Sequence, residues 1–334
     1  MSGRPDRGIR EFVFGTTRDA LPRQLAFWQQ LGFRECARGE LAAEASEQLY
    51  GHRAAVTGCR LAHAGCETHG TGHVRLQAWE RLRNEGLGTR PPITTGGRWM
   101  GLYTQDILQL RDSFLGEAAR GGAFWISPLV AAPLAKPAPA VSLEAPFVGL
   151  RETLVFSEDY RLAFIQRGGF DRPGFGTFDL TLPFSNTEGS HANIIQPPRS
   201  FDSAFYKTAF GFETAPFGEQ HRSGDDPATA AALDLAAGEC FEVERIRAPG
   251  VPSGLLQLYS SERDSEDCRD LSRAGSRGLC LYAVGSADPG ALRETVLEAG
   301  APLAGPVAED EFGDPAFTFD APDGYQWLVS AQPS

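Results

Sequence analysis

A phrase that occurs twice constrains the fold of this chain more than any other feature of its sequence. Residues 26–33 read AFWQQLGF, and residues 204–212 read AFYKTAFGF. A second pair follows in the same order, with RLQAWE at 75–80 answered by LLQLYS at 255–260. Such repetition indicates a duplicated structural unit, and aromatic residues at helical spacing predict that each opening phrase is a helix packed on a sheet.

Each half of the chain divides again. A unit begins with a short apolar strand, such as EFVFGTT (11–17) or GLCLYAV (278–284), continues with a helix and ends with two or three strands. The Gly-, Pro- and Asp-rich stretch at 167–190 is predicted to be the boundary between the halves. The proline-rich stretch at 127–146 is predicted to be an insertion in the second unit, because strand-like sequence resumes after it.

Composition limits the possible partners. The formal net charge of −12 argues against a nucleic-acid backbone or an anionic membrane surface. No apolar run approaches the ~20 residues that a membrane helix needs, and the N-terminal residues lack the apolar core of a secretory signal. We therefore expect a cytoplasmic monomer or homodimer whose partner is a small molecule and whose six cysteines are thiols.

The order of elements resembles a known superfamily. A strand, a helix bearing AFWQQLGF or AFYKTAFGF, and strands that end in LLQLYS or DAPDGYQWLV are similar to the vicinal oxygen chelate superfamily, which includes glyoxalases, bleomycin resistance proteins and extradiol dioxygenases. The resemblance implies an α+β fold of four tandem βαβββ modules. It further implies two domains, each a curved mixed sheet that forms a cup with helices outside. We expect neighbouring modules to pair, with modules at about 8–80 and 98–167 forming a domain over 1–168, and modules at about 190–260 and 277–330 forming a domain over 189–334.

The resemblance also implies where a metal would be held. Members of this group use a His near the start of a module's first strand and a Glu on its last strand. The third module has His191 and Gln257 at these places, and the first module has Gln77 on its last strand. Ala163 and Leu328 occupy the last-strand position in the other two modules. Because amides carry no charge and alkyl groups no lone pair, we expect no cofactor; if a divalent Fe, Mn or Zn ion were bound, His191 and Gln257 would be its ligands.

A second cluster of soft donors lies at residues 59–73. This stretch reads CRLAHAGCETHGTGH, without the Cys-x2-Cys spacing of structural zinc sites. Strand alternation would send these donors to different faces. We therefore expect an exposed His-rich hairpin here in preference to a zinc site.

Three functions remain open. The first is a metal-independent enzyme of the isomerase, lyase or cyclase type, acting on an apolar, oxygen-bearing and aromatic small molecule. In it, His191 could move a proton because the ordinary pKa of histidine lies near neutrality. The second is a sequestration protein of the resistance type, and the third is a metal-dependent dioxygenase or glyoxalase-like enzyme with non-standard ligands. The predicted catalytic residues are His191, Gln257 and Tyr282, and the predicted substrate-binding residues are Gln77, Tyr103, Tyr259, Gln326 and Trp327.

Overall fold

Four modules follow one another along the chain, as predicted. The computed structural model describes residues 5, 7–133, 148–168, 174, 176–198, 201–215, 221–223, 227–236 and 238–332. The first module comprises β1 (Ile9–Thr17), α1 (Leu21–Gln30), β2 (Arg34–Leu41), α2 (Ala43–Tyr50), β3 (Val56–Ala62), α3 (Ala64–His69) and β4 (His73–Trp79). The second comprises β5 (Arg98–Thr104), α4 (Ile107–Ala119), β6 (Trp125–Ile126), β7 (Val130–Pro133), β8 (Gly149–Phe156) and β9 (Arg161–Gly168).

The second half repeats this order. The third module comprises β10 (Asn186–Ile195), α5 (Ala204–Phe210), β11 (Glu213–Thr214), β12 (His221–Ser223), α6 (Pro227–Ala232), β13 (Phe241–Arg247) and β14 (Leu255–Ser261). After a 3-10 turn (Arg269–Ser272), the fourth comprises β15 (Gly278–Ser286), α7 (Pro289–Glu298), β16 (Leu303–Ala304), β17 (Ala308–Glu309), β18 (Pro315–Asp320) and β19 (Gln326–Ala331). The start of the predicted proline-rich insertion forms β7, and residues 134–147 lie outside the described residues.

The repeated phrase forms the repeated helix. In α1, Trp28 is fully buried, and Gly32 follows the helix with a φ of +88°. In α5, Tyr206 and Phe210 are buried, and Gly211 ends the helix with a φ of +70°. Glycine adopts this left-handed conformation without the steric cost of a Cβ, so each phrase specifies both a packed face and a stop.

The sheets pair the modules differently from the expected order. The first sheet has the strand order β16-β18-β19-β15-β1-β4-β3-β2, and the second has β11-β13-β14-β10-β5-β9-β8-β6. Modules one and four therefore share the first sheet, and modules two and three share the second. Each join is an antiparallel pair of first strands, β1 with β15 and β5 with β10. This corrects the predicted pairing of neighbours: a module leaves the edge of its first strand unpaired, and the repeat does not say which other module will cover that edge.

The two sheets lie back to back. One core cluster contains Phe12 and Tyr282 from the first sheet, Met100 and Ile194 from the second, and Trp28 from α1. The opposite face of each sheet has its own apolar clusters. Strand alternation thus sends one set of side chains into the shared core and the other into two separate cups, the first cup on the first sheet and the second cup on the second. No helix in the described part of the chain is long and apolar enough to span a membrane.

Candidate functional site

The first cup is filled by the protein itself. The side chains of Leu49 and Tyr50 at the end of α2 pack against Trp79 and Leu328 on its inner face. The Tyr50 hydroxyl donates a hydrogen bond to Glu311 Oε2 at 2.5 Å. Gln77, a predicted substrate-binding residue, is fully buried and donates from Nε2 to Glu311 Oε1 at 3.2 Å. Gln77 therefore lies inside a packed core.

Buried charges neutralise one another in this first cup. Glu11 is fully buried, and it accepts hydrogen bonds from Arg60 Nε at 2.8 Å and from Arg75 Nε. Arg75 Nη1 also donates to Asp310 Oδ2 at 3.0 Å. Burial alone would raise the pKa of Glu11, but the positive charges of Arg60 and Arg75 outweigh it and hold that pKa well below its ordinary value. The cluster is thus an internal ion-pair network.

The second cup carries a different set of side chains. Glu152 on β8, His191 on β10, Gln257 on β14 and Arg245 on β13 lie on its inner face, and we call these four residues the polar row. Arg245 lies opposite Gln257, and Gln257 lies beside Asn193 on β10. Two apolar clusters flank the row, and they include Trp99, Leu154, Ala163, Ile195 and Val243 on one side and Tyr103, Ile165 and Leu255 on the other.

His191 is held as a neutral acceptor. Its Nδ1 lies 2.8 Å from Ser190 Oγ, and Ser190 donates its own proton to the Gly101 carbonyl at 3.1 Å. Both contacts are hydrogen bonds when Nδ1 carries the hydrogen and donates it to Ser190 Oγ, and in that tautomer Nε2 keeps its lone pair. Burial, and then the positive charges of Arg245 and Arg167, lower the pKa of His191 to about 3. This corrects the premise that its pKa lies near neutrality: the imidazole can accept a hydrogen bond from a ligand but is a weak base.

The amide of Gln257 has a fixed orientation. Its Oε1 accepts hydrogen bonds from Arg245 Nε at 3.2 Å and from the Tyr259 hydroxyl at 3.0 Å. Burial raises the pKa of Tyr259 to about 12, so this hydroxyl stays protonated and remains a donor. With its oxygen engaged, Gln257 can offer a ligand its NH2 group, which is a donor to an oxygen atom.

This arrangement does not fit a divalent cation. The oxygen of Gln257 already accepts from a guanidinium, whose positive charge would repel a metal ion. Parallel pairing places Gly101 beside Ala163 on β5 and β9, and neither side chain has a donor atom. Among the described residues, no group of three or more His, Cys, Asp or Glu side chains is arranged to hold a metal. We therefore derive no chemical step through a metal.

Glu152 was not among the predicted site residues. It is half-buried, and no hydrogen bond or ion pair joins its carboxyl to another described residue. Burial raises its pKa to about 7, although the charge of Arg245 lowers it in part. A signal existed in the sequence: Glu152 alternates with Leu150 and Leu154, which marks an acidic side chain on an apolar inner face. Arg245, also missed, alternates in the same way with Phe241 and Val243.

The second cup gathers four of the predicted site residues. His191 and Gln257 lie in the polar row, and Tyr259 holds the amide of Gln257. Tyr103 is buried in the flanking cluster, with the Arg167 guanidinium 3.9 Å from its ring centroid. Their predicted roles in catalysis and binding stay predictions.

Three predicted site residues lie elsewhere. The Tyr282 hydroxyl is 2.7 Å from the Asn193 carbonyl oxygen and 3.0 Å from the Trp99 carbonyl oxygen, in the core between the sheets. Trp327 lies in the same core and donates from Nε1 to the Tyr206 hydroxyl at 3.3 Å. Gln326 accepts from the backbone N–H of Ala274 at 2.9 Å. These placements do not support a site role for Tyr282, Trp327 or Gln326, because all three lie on strands of the first sheet, away from the second cup.

The structure also corrects the prediction for the His-rich stretch at 59–73. It is not an exposed hairpin: α3 occupies its centre, and His63 is buried and accepts from the Gly65 N–H at 3.2 Å. The nearest nitrogens of His63 and His69 lie 4.0 and 3.7 Å from the carboxylate oxygens of Glu188 on β10. The stretch therefore packs the first module against the third.

Two solved structures show the same fold over nearly the whole chain. Glyoxalase I from Zea mays is 14% identical, with a TM-score of 0.54 over 97% of this chain and 92% of that one. A putative dioxygenase from Bacillus subtilis is 11% identical, with a TM-score of 0.55 over 98% of this chain and 86% of that one. No family model and no curated protein matches the sequence. The predicted fold is confirmed: this chain has the vicinal oxygen chelate fold, with four βαβββ modules in two curved mixed sheets.

Proposed function

We propose that the second cup binds an apolar, oxygen-bearing small molecule and converts it by proton transfer without a metal, as an isomerase, lyase or cyclase. The observation that carries the proposal is the unpaired carboxyl of Glu152 in a cup that also holds the oriented amide of Gln257. A general acid–base group works best when its pKa lies near the operating pH, and the pKa of Glu152 is about 7.

The residues of the polar row have separate roles in such a reaction. The carboxylate of Glu152 accepts a proton from a carbon next to a substrate carbonyl. The C–H electron pair forms a carbon–carbon double bond, and the carbonyl oxygen takes the negative charge. Gln257 donates an N–H to that oxygen, and Arg245 and Tyr259 hold the amide in place. Return of the proton to another carbon isomerises the substrate, and departure of a leaving group from the neighbouring carbon completes an elimination.

His191 and the apolar clusters supply binding. The unprotonated Nε2 of His191 accepts a hydrogen bond from a substrate hydroxyl. Tyr103, Trp99 and Leu255 offer aromatic and aliphatic surface on either side of the polar row. A ligand with an apolar body and a few oxygen atoms fits this alternation of surfaces.

The test follows proton exchange in deuterium oxide. Two enolisable aryl ketones, neutral butyrophenone and anionic β-benzoylpropionate, are incubated with the protein, and loss of their α-proton NMR signals is recorded. We expect exchange that Glu152→Gln reduces about 10²- to 10⁴-fold. Below pH 7 the wild-type rate should fall as Glu152 becomes protonated, and EDTA should leave it unchanged.

The alternatives give other outcomes. Binding of both ketones without exchange in the wild type would indicate a sequestration protein. Exchange that EDTA abolishes and Mn²⁺ restores would indicate a metal-dependent enzyme. Exchange that Glu152→Gln leaves intact would remove Glu152 from the mechanism.

A further inference from the structure

Resting on the proposed function, we infer that the substrate of the second cup is an anion, an apolar carboxylic acid bound as its carboxylate between Arg245 and Glu152. Arg245 is half-buried on β13, and only its Nε is engaged, with Gln257. Among the described residues, its two Nη atoms make no hydrogen bond. Those atoms are the paired donors that a planar carboxylate accepts.

Arg245 and Glu152 interact electrostatically, but no ion pair joins them. The charge of Arg245 lowers the pKa of Glu152, and both groups act on Tyr259, yet no ion pair joins the two. Both side chains are half-buried, and a charge withdrawn from water is costly unless it has a partner. A ligand that carries a negative charge and lies between them would supply that partner to Arg245.

The charge balance of the second cup favours an anion. The chain as a whole has a net charge of −12. On the inner face of this cup, Arg245 is cationic, His191 is neutral and the pKa of Glu152 is about 7. Among these described groups the charge of Arg245 exceeds that of Glu152 at neutral pH, which selects against cations and attracts a monoanion.

Binding of an anion should raise the pKa of Glu152. Arg245 on β13 is the charged group that lowers the pKa of Glu152, Glu152 in turn raises the pKa of Tyr259 on β14, and Arg167 on β9 lowers the pKa of His191. A carboxylate seated on Arg245 cancels the positive charge that keeps Glu152 acidic. With a higher pKa, the ionised fraction of Glu152 is a stronger base towards the carbon next to the carbonyl of the same substrate.

The experiment compares anionic and neutral ligands of one shape. Dissociation constants are measured calorimetrically for β-benzoylpropionate and its primary amide, with wild type, Arg245→Met, Arg245→Lys and the exposed control Arg53→Met. We expect the acid to bind at least about tenfold more tightly than the amide, a difference of about 1.4 kcal/mol. Arg245→Met should abolish this preference, Arg245→Lys should keep part of it, and Arg53→Met should leave it unchanged.

The two proposals fail separately. Equal affinity for acid and amide in the wild type, or an undiminished preference in Arg245→Met, would overturn the inference about the anion. Such a result would leave the proposed function standing if Glu152→Gln still abolished proton exchange. Conversely, a clear preference for the acid together with full exchange by Glu152→Gln would keep the anion site and overturn the proton-transfer role.

Discussion

At the scale of single residues, Gly101 leaves the space that the imidazole of His191 occupies. A Cβ built on Gly101 would come within 2.0 Å of Cε1 and 2.1 Å of Nε2 of His191. The imidazole therefore occupies the space that a side chain at 101 would need, and the absence of a side chain there is a condition of the second cup. This close approach, and not a special backbone angle, explains the glycine.

We predict that Gly101→Ala lowers the free energy of unfolding by about 1–3 kcal/mol, because it overpacks the site and displaces His191. In a protein that already carries His191→Ala, the same Gly101→Ala change should lower the free energy of unfolding much less. Urea denaturation measures both. Gly116→Ala in α4, whose Cβ would meet its nearest atom at 3.5 Å, serves as the control and should not destabilise. An equal penalty for Gly101→Ala with and without the imidazole would contradict the assigned contact.

The pKa of His191 also predicts a dependence of stability on pH. The folded-state pKa of about 3 lies below the ordinary value of 6.5, so the unfolded chain binds more protons between these values. Stability should therefore fall as the pH drops through this window. His191→Asn removes that contribution. Between pH 7 and pH 4.5, the free energy of unfolding of the wild type should therefore fall more than that of the variant. A difference that is constant with pH would show that His191 titrates normally.

At the scale of secondary-structure elements, β1, β3 and β4 bring the carboxylate of Glu11 and the guanidiniums of Arg60 and Arg75 into a buried position. Glu11 and Arg75 lie on neighbouring parallel strands, and the loop between β17 and β18 adds Asp310 and Glu311. The rings and methylenes around them exclude water. The ring centroid of Phe312 lies 4.2 Å from Cζ of Arg60 and 4.8 Å from Cζ of Arg75. The first module is thereby joined to the fourth by charge as well as by hydrogen-bonded strands.

We expect Arg75→Met to lower the free energy of unfolding by about 3–5 kcal/mol, because Asp310 loses its paired cation and Glu11 loses one of its two guanidinium donors inside the core. The exposed Arg53, which pairs with Glu44 and Glu47, provides the contrast: Arg53→Met should cost no more than about 1 kcal/mol. Thermal or chemical unfolding distinguishes the two. A loss below 1 kcal/mol for Arg75→Met would mean that the network relaxes or takes in water.

At the scale of the whole molecule, the two halves of the chain are not two folding units. Each sheet takes one module from each half, so a fragment that ends at the predicted boundary would contain two half-sheets with open edges. The shared core between the sheets would also lose half of its apolar surface. The interlocked pairing makes the complete chain the unit of stability.

We predict that residues 1–180 and 181–334, separated at the exposed turn that contains Leu180, are each unfolded or aggregated when produced alone. Mixed or co-expressed, the fragments should assemble into one heterodimer with the circular dichroism spectrum of the intact chain. A single-chain variant with a protease site at this turn is the control, since it should remain associated after cleavage. Two fragments that each fold as stable monomers would contradict the interlocked pairing.

Much of the second cup could be predicted, and the missing part has a physical cause. His191, Gln257, Tyr103 and Tyr259 were expected from their places on repeated strands, and the structure brings them together. Tyr282 and Trp327 lie outside the second cup because module four shares a sheet with module one, and their side chains face the core between the sheets. Alternation with apolar residues indicates that Glu152 and Arg245 each lie on an inner face, but no local pattern indicates that β8 and β13 belong to the same cup.

The order of residues along the chain specifies the module: its periodicities specify strand, helix and strands, and its aromatic phrases and following glycines specify how each helix packs and where it ends. Which modules share a sheet, which cup is filled by charges and α2, and which carboxyl lies unpaired on an inner face follow from the folded chain alone. Local elements follow from backbone geometry and from the burial of one face, which a short stretch encodes, whereas strand-edge pairing and desolvation depend on residues brought together from distant parts of the chain.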